Sequence, residues 1–261
     1  LKAKKSFGQH FLNREDLAEQ IADSLMLTDT YDQVLEVGPG RAMLTKYLLK
    51  KPYGLKVAEA DKDMVAYLEK NFTQLQGRIL AGDFLRLDLS TVFEGASFGL
   101  IGNFPYNISS QIVFKMLDYK VYIPELVGMF QKEMAQRIIA PPGSKTYGVI
   151  SVLTQAFYDG EYLFDVDRTC FTPPPQVQSG VIRLWRKPDQ TLGCDEVIFK
   201  RVVKTAFGQR RKMLRNTLKT FFSNDLTVLE DPFYQKRPEQ LSLSDYVTLT
   251  NLIASTNLPQ E

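Results

Sequence analysis

The residues best equipped for chemistry stand together at Gly102-Asn103-Phe104-Pro105-Tyr106-Asn107. Asn103 offers a side-chain amide oxygen, and Tyr106 offers a flat aromatic face with a polar tip. Pro105 removes one backbone donor and stiffens the chain, so that neighbouring carbonyls are held outward. Fixed acceptors beside an aromatic plate are what an exocyclic amino group on a planar base requires. The plainer alternative is a proline-rich turn whose tyrosine only packs. The apolar run Phe98 to Ile101 before the loop reads as a buried strand, and a helical pattern begins at about Ser110. Open α/β sheets place their chemistry on loops of this kind, at the ends of parallel strands.

Three earlier strands have to position that loop's partners. Gln33 to Val37 is broken sharply by Gly38-Pro39-Gly40, and a helix carrying Leu44, Leu48 and Leu49 follows. Glycines here let the backbone approach a ligand closely. Met43 occupies the place of the third glycine in a dinucleotide fingerprint, which disfavours a pyrophosphate cradle and, with it, a dehydrogenase. The second strand, Leu55 to Ala58, ends at Glu59, about twenty residues beyond the glycine loop, where a carboxylate accepts both hydroxyls of a ribose. Asp61 caps the next helix. The third strand, Arg78 to Ala81, leads to Asp83 and Phe84, placed to accept from an adenine amino group and to cover its ring. Each feature has a bland counterpart: a tight turn, a surface carboxylate, a loop phenylalanine. Their order along successive strand ends is what makes the set specific.

Composition bounds the alternatives. The chain has 261 residues, 44% hydrophobic and 24% charged, ample for a large domain with a smaller one. No apolar run reaches the roughly 20 residues that span a bilayer, and no signal-peptide pattern is present, so no membrane partner is expected. Cys170 and Cys194 form no paired motif, which suits reduced thiols in a cytoplasmic protein. His10 is the single histidine, so histidine-based zinc sites and Ser-His-Asp triads are not expected, and neither is any metal. A net charge of +2 means that nucleic-acid binding has to come from local clustering.

The remaining segments supply candidates. A basic start (Lys2, Lys4, Lys5) runs into Ser6-Phe7-Gly8-Gln9-His10-Phe11-Leu12; Asn13 then reads as the cap of a helix with Leu17, Ile21 and Leu25 on one face. A tail pinned by Phe7, Phe11 and Leu12 is the structural reading of this stretch. Leu126 to Phe130 and Val181 to Trp185 read as strands, while Val149 to Phe157 suits either a buried helix or a strand. Phe171 precedes the rigid Pro173-Pro174-Pro175 loop, and is either a second face for a flipped base or a core phenylalanine. Between Val197 and Asn224 stand eight Lys or Arg residues and no Asp or Glu. Helical spacing puts Arg211, Arg215 and Lys219 on one face and Leu214, Leu218, Phe221 and Phe222 on another. A basic face without compensating acids favours RNA phosphate over a merely solvated surface.

The motifs Phe7-Gly8-Gln9-His10-Phe11-Leu12, Glu36-Val37-Gly38-Pro39-Gly40, Asn103-Phe104-Pro105-Tyr106-Asn107, Gln131-Lys132-Glu133, Phe171-Thr172-Pro173-Pro174-Pro175 and Phe207-Gly208-Gln209-Arg210-Arg211-Lys212 together resemble the small-subunit ribosomal RNA adenine dimethyltransferase family. Asn103 to Tyr106 resembles the Asn/Asp-Pro-Pro-Tyr motif of amino-methylating enzymes, with Phe104 in place of the first proline. His10 stands where many such relatives carry Asn.

The resemblance implies a Rossmann-like methyltransferase domain over residues 1–187 and a helical RNA-docking domain over 188–261. It implies S-adenosylmethionine as methyl donor, held by His10, Leu12, Gly38, Gly40, Glu59, Asp83 and Asn103. Asn103, Pro105, Tyr106 and Phe171 become the catalytic candidates, and Arg210, Arg211, Lys212 and Arg215 the RNA-binding ones. Because the sulfonium is already an activated donor, no dedicated general base is needed. The implied substrate is a pair of adjacent adenosines in a hairpin loop near the 3′ end of small-subunit ribosomal RNA, on immature small subunits, met by a monomeric enzyme. Two rivals remain: a resistance-type enzyme dimethylating one large-subunit adenine, and a non-catalytic RNA-binding assembly factor.

Overall fold

The computed structural model describes residues 1–256. It divides into two compact units, one comprising Leu1–Gln136 with Asp159–Arg186, the other Arg137–Tyr158 with the chain from Lys187 onward.

The first unit is built on a seven-stranded sheet. Its parallel strands are β2 (Gln33–Val37), β3 (Gly54–Glu59), β4 (Ile79–Ala81), β5 (Phe98–Asn103) and β6 (Glu125–Gln131); β7 (Tyr158–Val166) and β9 (Ser179–Arg186) complete it in the order β4-β3-β2-β5-β6-β9-β7. A separate two-stranded pair joins β1 (Phe11–Leu12) antiparallel to β8 (Phe171–Thr172), with Leu12 opposite Phe171. β9 runs antiparallel to β6. In β2, β5 and β6 nearly every residue is buried, as expected of central strands covered on both faces.

From β2 the chain moves outward through β3 and β4, then returns to place β5 on the other side of β2. That reversal opens a crevice beyond the carboxyl ends of β2 and β5, the ordinary ligand position in an open α/β sheet. The glycine loop and the Asn103 loop are the two segments leaving those strand ends.

The helices of this unit are α1 (Glu15–Ala22), the single turn α2 (Thr45–Leu48), α3 (Lys62–Asn71), α4 (Ser109–Asp118) and α5 (Lys132–Ile138), whose last two residues group with the second unit. Asp61 caps α3 by accepting from the Asp63 N–H at 3.0 Å, and Met64 and Leu68, four apart, bury one face. Asn13 does not cap α1. Arg14 holds that place without a side-chain capping bond, and the Asn13 amide instead donates to Thr172 Oγ1 at 3.1 Å. The β1–β8 pairing brings Thr172 within reach, so a tertiary bond takes the group that local spacing assigned to the helix.

The second unit holds α6 (Val149–Gln155), α7 (Glu196–Phe207), α8 (Leu214–Thr217) and α9 (Leu243–Thr256). The units break between Arg186 and Lys187, and Arg137–Tyr158, which the expected 1–187 domain included, groups with the helical unit. The physical link is visible in the hydrogen bonds. Arg210 Nη2 donates to the Lys145 carbonyl at 2.7 Å, the Gly143 N–H to the Glu239 carbonyl at 2.6 Å, and the Lys187 N–H to the Phe157 carbonyl at 2.9 Å. The apolar stretch 149–157 resolves into α6, whose Ile150, Val152 and Leu153 are buried.

Candidate functional site

A cavity of about 530 Å³ lies at the crevice beyond β2, β3 and β5. Gly38 and Gly40 border it in the left-handed region, at φ +71° and +54°. A Cβ on Gly40 would stand 3.0 Å from the Phe11 ring, so the loop admits the N-terminal segment only because that side chain is missing. Arg41 then covers the same ring, its guanidinium carbon 4.3 Å from the centroid.

Glu59 reaches the cavity from the end of β3 and is only 7% exposed. Burial, and then the Asp61 charge, push its carboxyl up to about 7; among the described residues only the Ala60 backbone opposes the shift. A nearly buried carboxyl without a side-chain partner, beside open space, is an acceptor waiting for hydroxyl donors. Behind it, Glu36 is fully enclosed: burial pushes it up to about 8, although Thr45 Oγ1 donates to it at 2.5 Å. Asp83 also lines the cavity, and spends one oxygen capping the turn that follows, accepting from the Leu85 N–H at 3.0 Å.

The Asn103–Tyr106 loop forms the next wall. Phe104 anchors it. Its ring is 1% exposed and packs edge-on to Phe130 at 5.2 Å, in space that side chains at Gly102 and Gly128 would fill. The aromatic residue in place of the motif's first proline is thus the loop's apolar foot. The Pro105 carbonyl accepts from the Ile108 N–H at 3.1 Å, which leaves the Phe104 carbonyl as the uncommitted backbone acceptor. Asn103 Nδ2 donates to the His10 carbonyl at 3.0 Å, so its Oδ1 is left free. The Tyr106 hydroxyl bonds to Ser179 Oγ; burial raises the phenol above its ordinary range, so it remains a neutral hydroxyl.

The N-terminal segment closes the remaining side, and here the residues missed in the sequence are found. Asp61 is 1% exposed and receives Lys4 Nζ at 2.7 Å and Gln9 Nε2 at 2.9 Å. Burial works against its charge, yet Lys4, Gln9 and the Asp63 N–H together hold the carboxyl below the usual range. Lys4 also pairs with Asp63 at 2.6 Å. The available signal was a lysine and a glutamine in the tail with an acid just past Glu59, but nothing local connects them. His10 and Leu12 both line the cavity; Leu12 is at the same time a core residue, 7% exposed.

Two expectations are corrected by these placements. Phe171 does not border the cavity. It is 2% exposed and packs in the core with Leu12, Ile21 and Val166, so its ring has no free face to offer a base. Arg210 is likewise committed: its guanidinium donates to the carbonyls of Tyr147 and Lys145 and lies 5.8 Å from the Phe207 centroid. Nor does one helix carry the basic face. α7 ends at Phe207, a turn holds Gly208 to Lys212, and α8 starts at Leu214. Arg211, Lys212, Arg215 and Lys219 are nevertheless exposed, while Leu214, Leu218, Phe221 and Phe222 are buried as the spacing required. Among the described residues no group of acids, cysteines and histidine could hold a metal ion, and no helix is long and apolar enough to cross a membrane.

The sequence profile of ribosomal RNA adenine dimethylases matches residues 1–254. The chain belongs to the ribosomal RNA adenine dimethylase family. Among its relatives, the ribosomal RNA small subunit methyltransferase A of Flavobacterium johnsoniae is 54% identical over 253 residues, 97% of this dimethylase and 96% of that protein. The protein of the same description in Parabacteroides distasonis is 52% identical over 263 residues, covering 100% and 97%. A dimethyladenosine transferase from Plasmodium falciparum shares the fold of this dimethylase with a TM-score of 0.77, at 23% identity, covering 95% and 99% of the two chains. The 23S rRNA methyltransferase ErmE shares it at 0.64 and 22% identity, covering 92% and 99%. The Rossmann-like α/β class expected from the strand-end motifs is therefore the fold observed.

Proposed function

We propose that this chain dimethylates the exocyclic nitrogens of two adjacent adenosines in a loop near the 3′ end of small-subunit ribosomal RNA, acting as a monomer on immature small subunits. The observation that carries the reading is the pair of uncommitted acceptors, Asn103 Oδ1 and the Phe104 carbonyl, held beside Tyr106 at the mouth of the cavity. Support for the small-subunit substrate comes from the relatives that bear that description at 54% and 52% identity.

The cavity's residues fit S-adenosylmethionine. Glu59 lacks a side-chain partner and would accept ribose hydroxyls, Asp83 lines the same space, and Gly38 and Gly40 keep the loop beside it free of side chains. When bound, the group supplies an electrophilic methyl carbon on a sulfonium.

The protein's own task is the acceptor nitrogen, whose lone pair is delocalised into the adenine ring. Accepting its two hydrogens at Asn103 and Phe104 favours a pyramidal nitrogen with its lone pair localised toward the donor. Fixing that nitrogen in line removes most of the orientational entropy from the step. Tyr106 holds the extruded base, a stack worth roughly 1–3 kcal/mol. The methylated nitrogen sheds one proton to water, so a single N–H remains, and one acceptor gives up its partner while the pocket takes in a methyl group. Arg211, Lys212 and Arg215 contribute phosphate contacts.

The test is incubation of immature small subunits with labelled S-adenosylmethionine and mapping of the products. Two adjacent dimethyladenosines are expected, and Asn103→Ala should slow single-turnover transfer on the order of 10²–10³-fold. Modification of a single large-subunit adenine would replace the substrate assignment. A folded protein with no transfer to either RNA would favour an assembly factor.

A further inference from the structure

The family resemblance placed His10 against the cofactor; it lines the cavity, and its own contacts run to the loops on either side. Its Nδ1–H donates to the Pro173 carbonyl at 2.8 Å. Its ring stacks on Tyr106, with centroids 5.2 Å apart and planes at 28°. Its backbone carbonyl receives the Asn103 amide. One residue thus clips together the N-terminal segment, the acceptor loop and the proline loop. We infer that His10 is a positioning residue for methyl transfer, setting the rotational sense of the Asn103 amide and the plane of Tyr106.

The argument starts from the symmetry of a primary amide. Turning the Asn103 side chain over exchanges Oδ1 for Nδ2 at nearly the same position, and Nδ2 would present hydrogens to an amino group that needs an acceptor. Only a fixed partner on one side selects the productive sense. The His10 carbonyl is that partner, and it stays in place because the imidazole is held at two points. The other end of Tyr106 is tied to Ser179, so the His10 stack fixes the remaining freedom of the ring. Asparagine at this position can donate to Pro173 but has no ring to lay on Tyr106. Phenylalanine can stack but cannot donate.

The inference rests on the methyltransferase reading, and its test keeps the two apart. Single-turnover transfer, S-adenosylmethionine affinity and thermal midpoint are measured for wild type, His10→Ala, His10→Asn and His10→Phe. His10→Ala should slow transfer at saturating donor by roughly five- to tenfold, the effect of one orienting hydrogen bond. Donor affinity should change little, and Asn and Phe should each restore part of the rate. In an Asn103→Ala background, His10→Ala should cost nothing further, because the amide it orients is gone. As the only histidine, His10 also gives a single imidazole signature in ¹⁵N NMR, which should report the Nδ1–H form. A wild-type rate in His10→Ala would overturn the inference. So would a loss confined to donor affinity, full additivity with Asn103→Ala, or an Nε2–H imidazole. An inactive wild type would sink the functional reading instead, and the imidazole tautomer would still decide whether the clip exists.

Discussion

Donor affinity should depend on pH through Glu59. The carboxyl is pushed up to about 7 by burial and by the neighbouring Asp61 charge, and hydroxyl donors favour its ionised form. Binding therefore has to remove a proton that the free site holds below neutrality. One unit below the folded pKa, about one molecule in eleven is ionised, so affinity at about pH 6 should be roughly tenfold weaker than the plateau reached above pH 8. At about pH 7, binding should release roughly half a proton. Calorimetry of S-adenosylmethionine in buffers of different ionisation enthalpy reads both quantities. Glu59→Gln should bind more weakly at high pH and lose most of the slope. A slope that remains belongs to Glu36, the other raised carboxyl beside the cavity, or to the donor's own α-amino group. Wild-type affinity that stays flat from about pH 5.5 to 8.5, with no proton released, would refute the assignment of Glu59 to the ribose.

Glu36 sets a related trend in stability. Its folded pKa of about 8 lies above the ordinary 4.5, so the fold prefers the proton: that preference is complete below about 4.5 and is lost as pH rises through 8. Glu36→Gln should therefore raise the thermal midpoint by an amount growing from pH 5 to 8, with an upper limit of ~5 kcal/mol, and a pH-independent difference would count against it. Lys4→Met should speed release of the bound donor and remove its dependence on ionic strength, read by stopped-flow displacement, because the Lys4–Asp61 pair ties down the segment lining the cavity. Arg211→Glu with Arg215→Glu should lower the log–log salt slope of RNA-particle binding by roughly 0.7–0.9 per lost contact. Arg210→Ala should leave that slope unchanged and lower the thermal midpoint instead, since the guanidinium serves the carbonyls of Tyr147 and Lys145.

What the sequence made legible was whatever is coded locally. The strand ends at Gly38, Glu59, Asp83 and Asn103 were readable because each apolar run stops at a residue type with a definite conformational or polar role, and all four border the cavity. The buried face formed by Leu214, Leu218, Phe221 and Phe222 survived even though the helix carrying it is broken after Phe207, because helical spacing constrains single turns as it does long helices. Phe171 could not be placed in advance: a phenylalanine before a stiff loop is equally suited to a core or to a base, and its pairing with Leu12 decides for the core. β7 escaped notice because it is an edge strand bearing Asp159, Glu161 and Asp165, whose exposed charges mask any alternation. Arg210 and Arg211 are adjacent and chemically identical, yet one is bound to backbone and the other exposed. Only tertiary contacts separate them.

The walls of the cavity are held by two different kinds of force, and the difference matches what repeated transfer demands. The acceptor loop stands on Phe104, whose buried ring would cost roughly 3–5 kcal/mol to truncate, and on a backbone bond from Phe104 to Met129. Such packing persists through every turnover, which is what a geometry tuned to an in-line step needs. The N-terminal segment is anchored at its end by Leu12 in the core and by the β1–β8 pairing, and ahead of that by polar clips: Lys4 and Gln9 on Asp61, the Asn103 amide on the His10 carbonyl, and the Arg41 guanidinium over Phe11. Lys4 is half-exposed although Asp61 is buried, so this pair weakens with salt as the packing under Phe104 does not. Dimethylation of one nitrogen consumes two donors, and the spent donor has to leave between them. The Asn103–His10 bond joins the two walls, so any loosening of the N-terminal segment would also free the acceptor amide. A salt-dependent rate of donor exchange in wild type that disappears in Lys4→Met would show that the segment governs exchange.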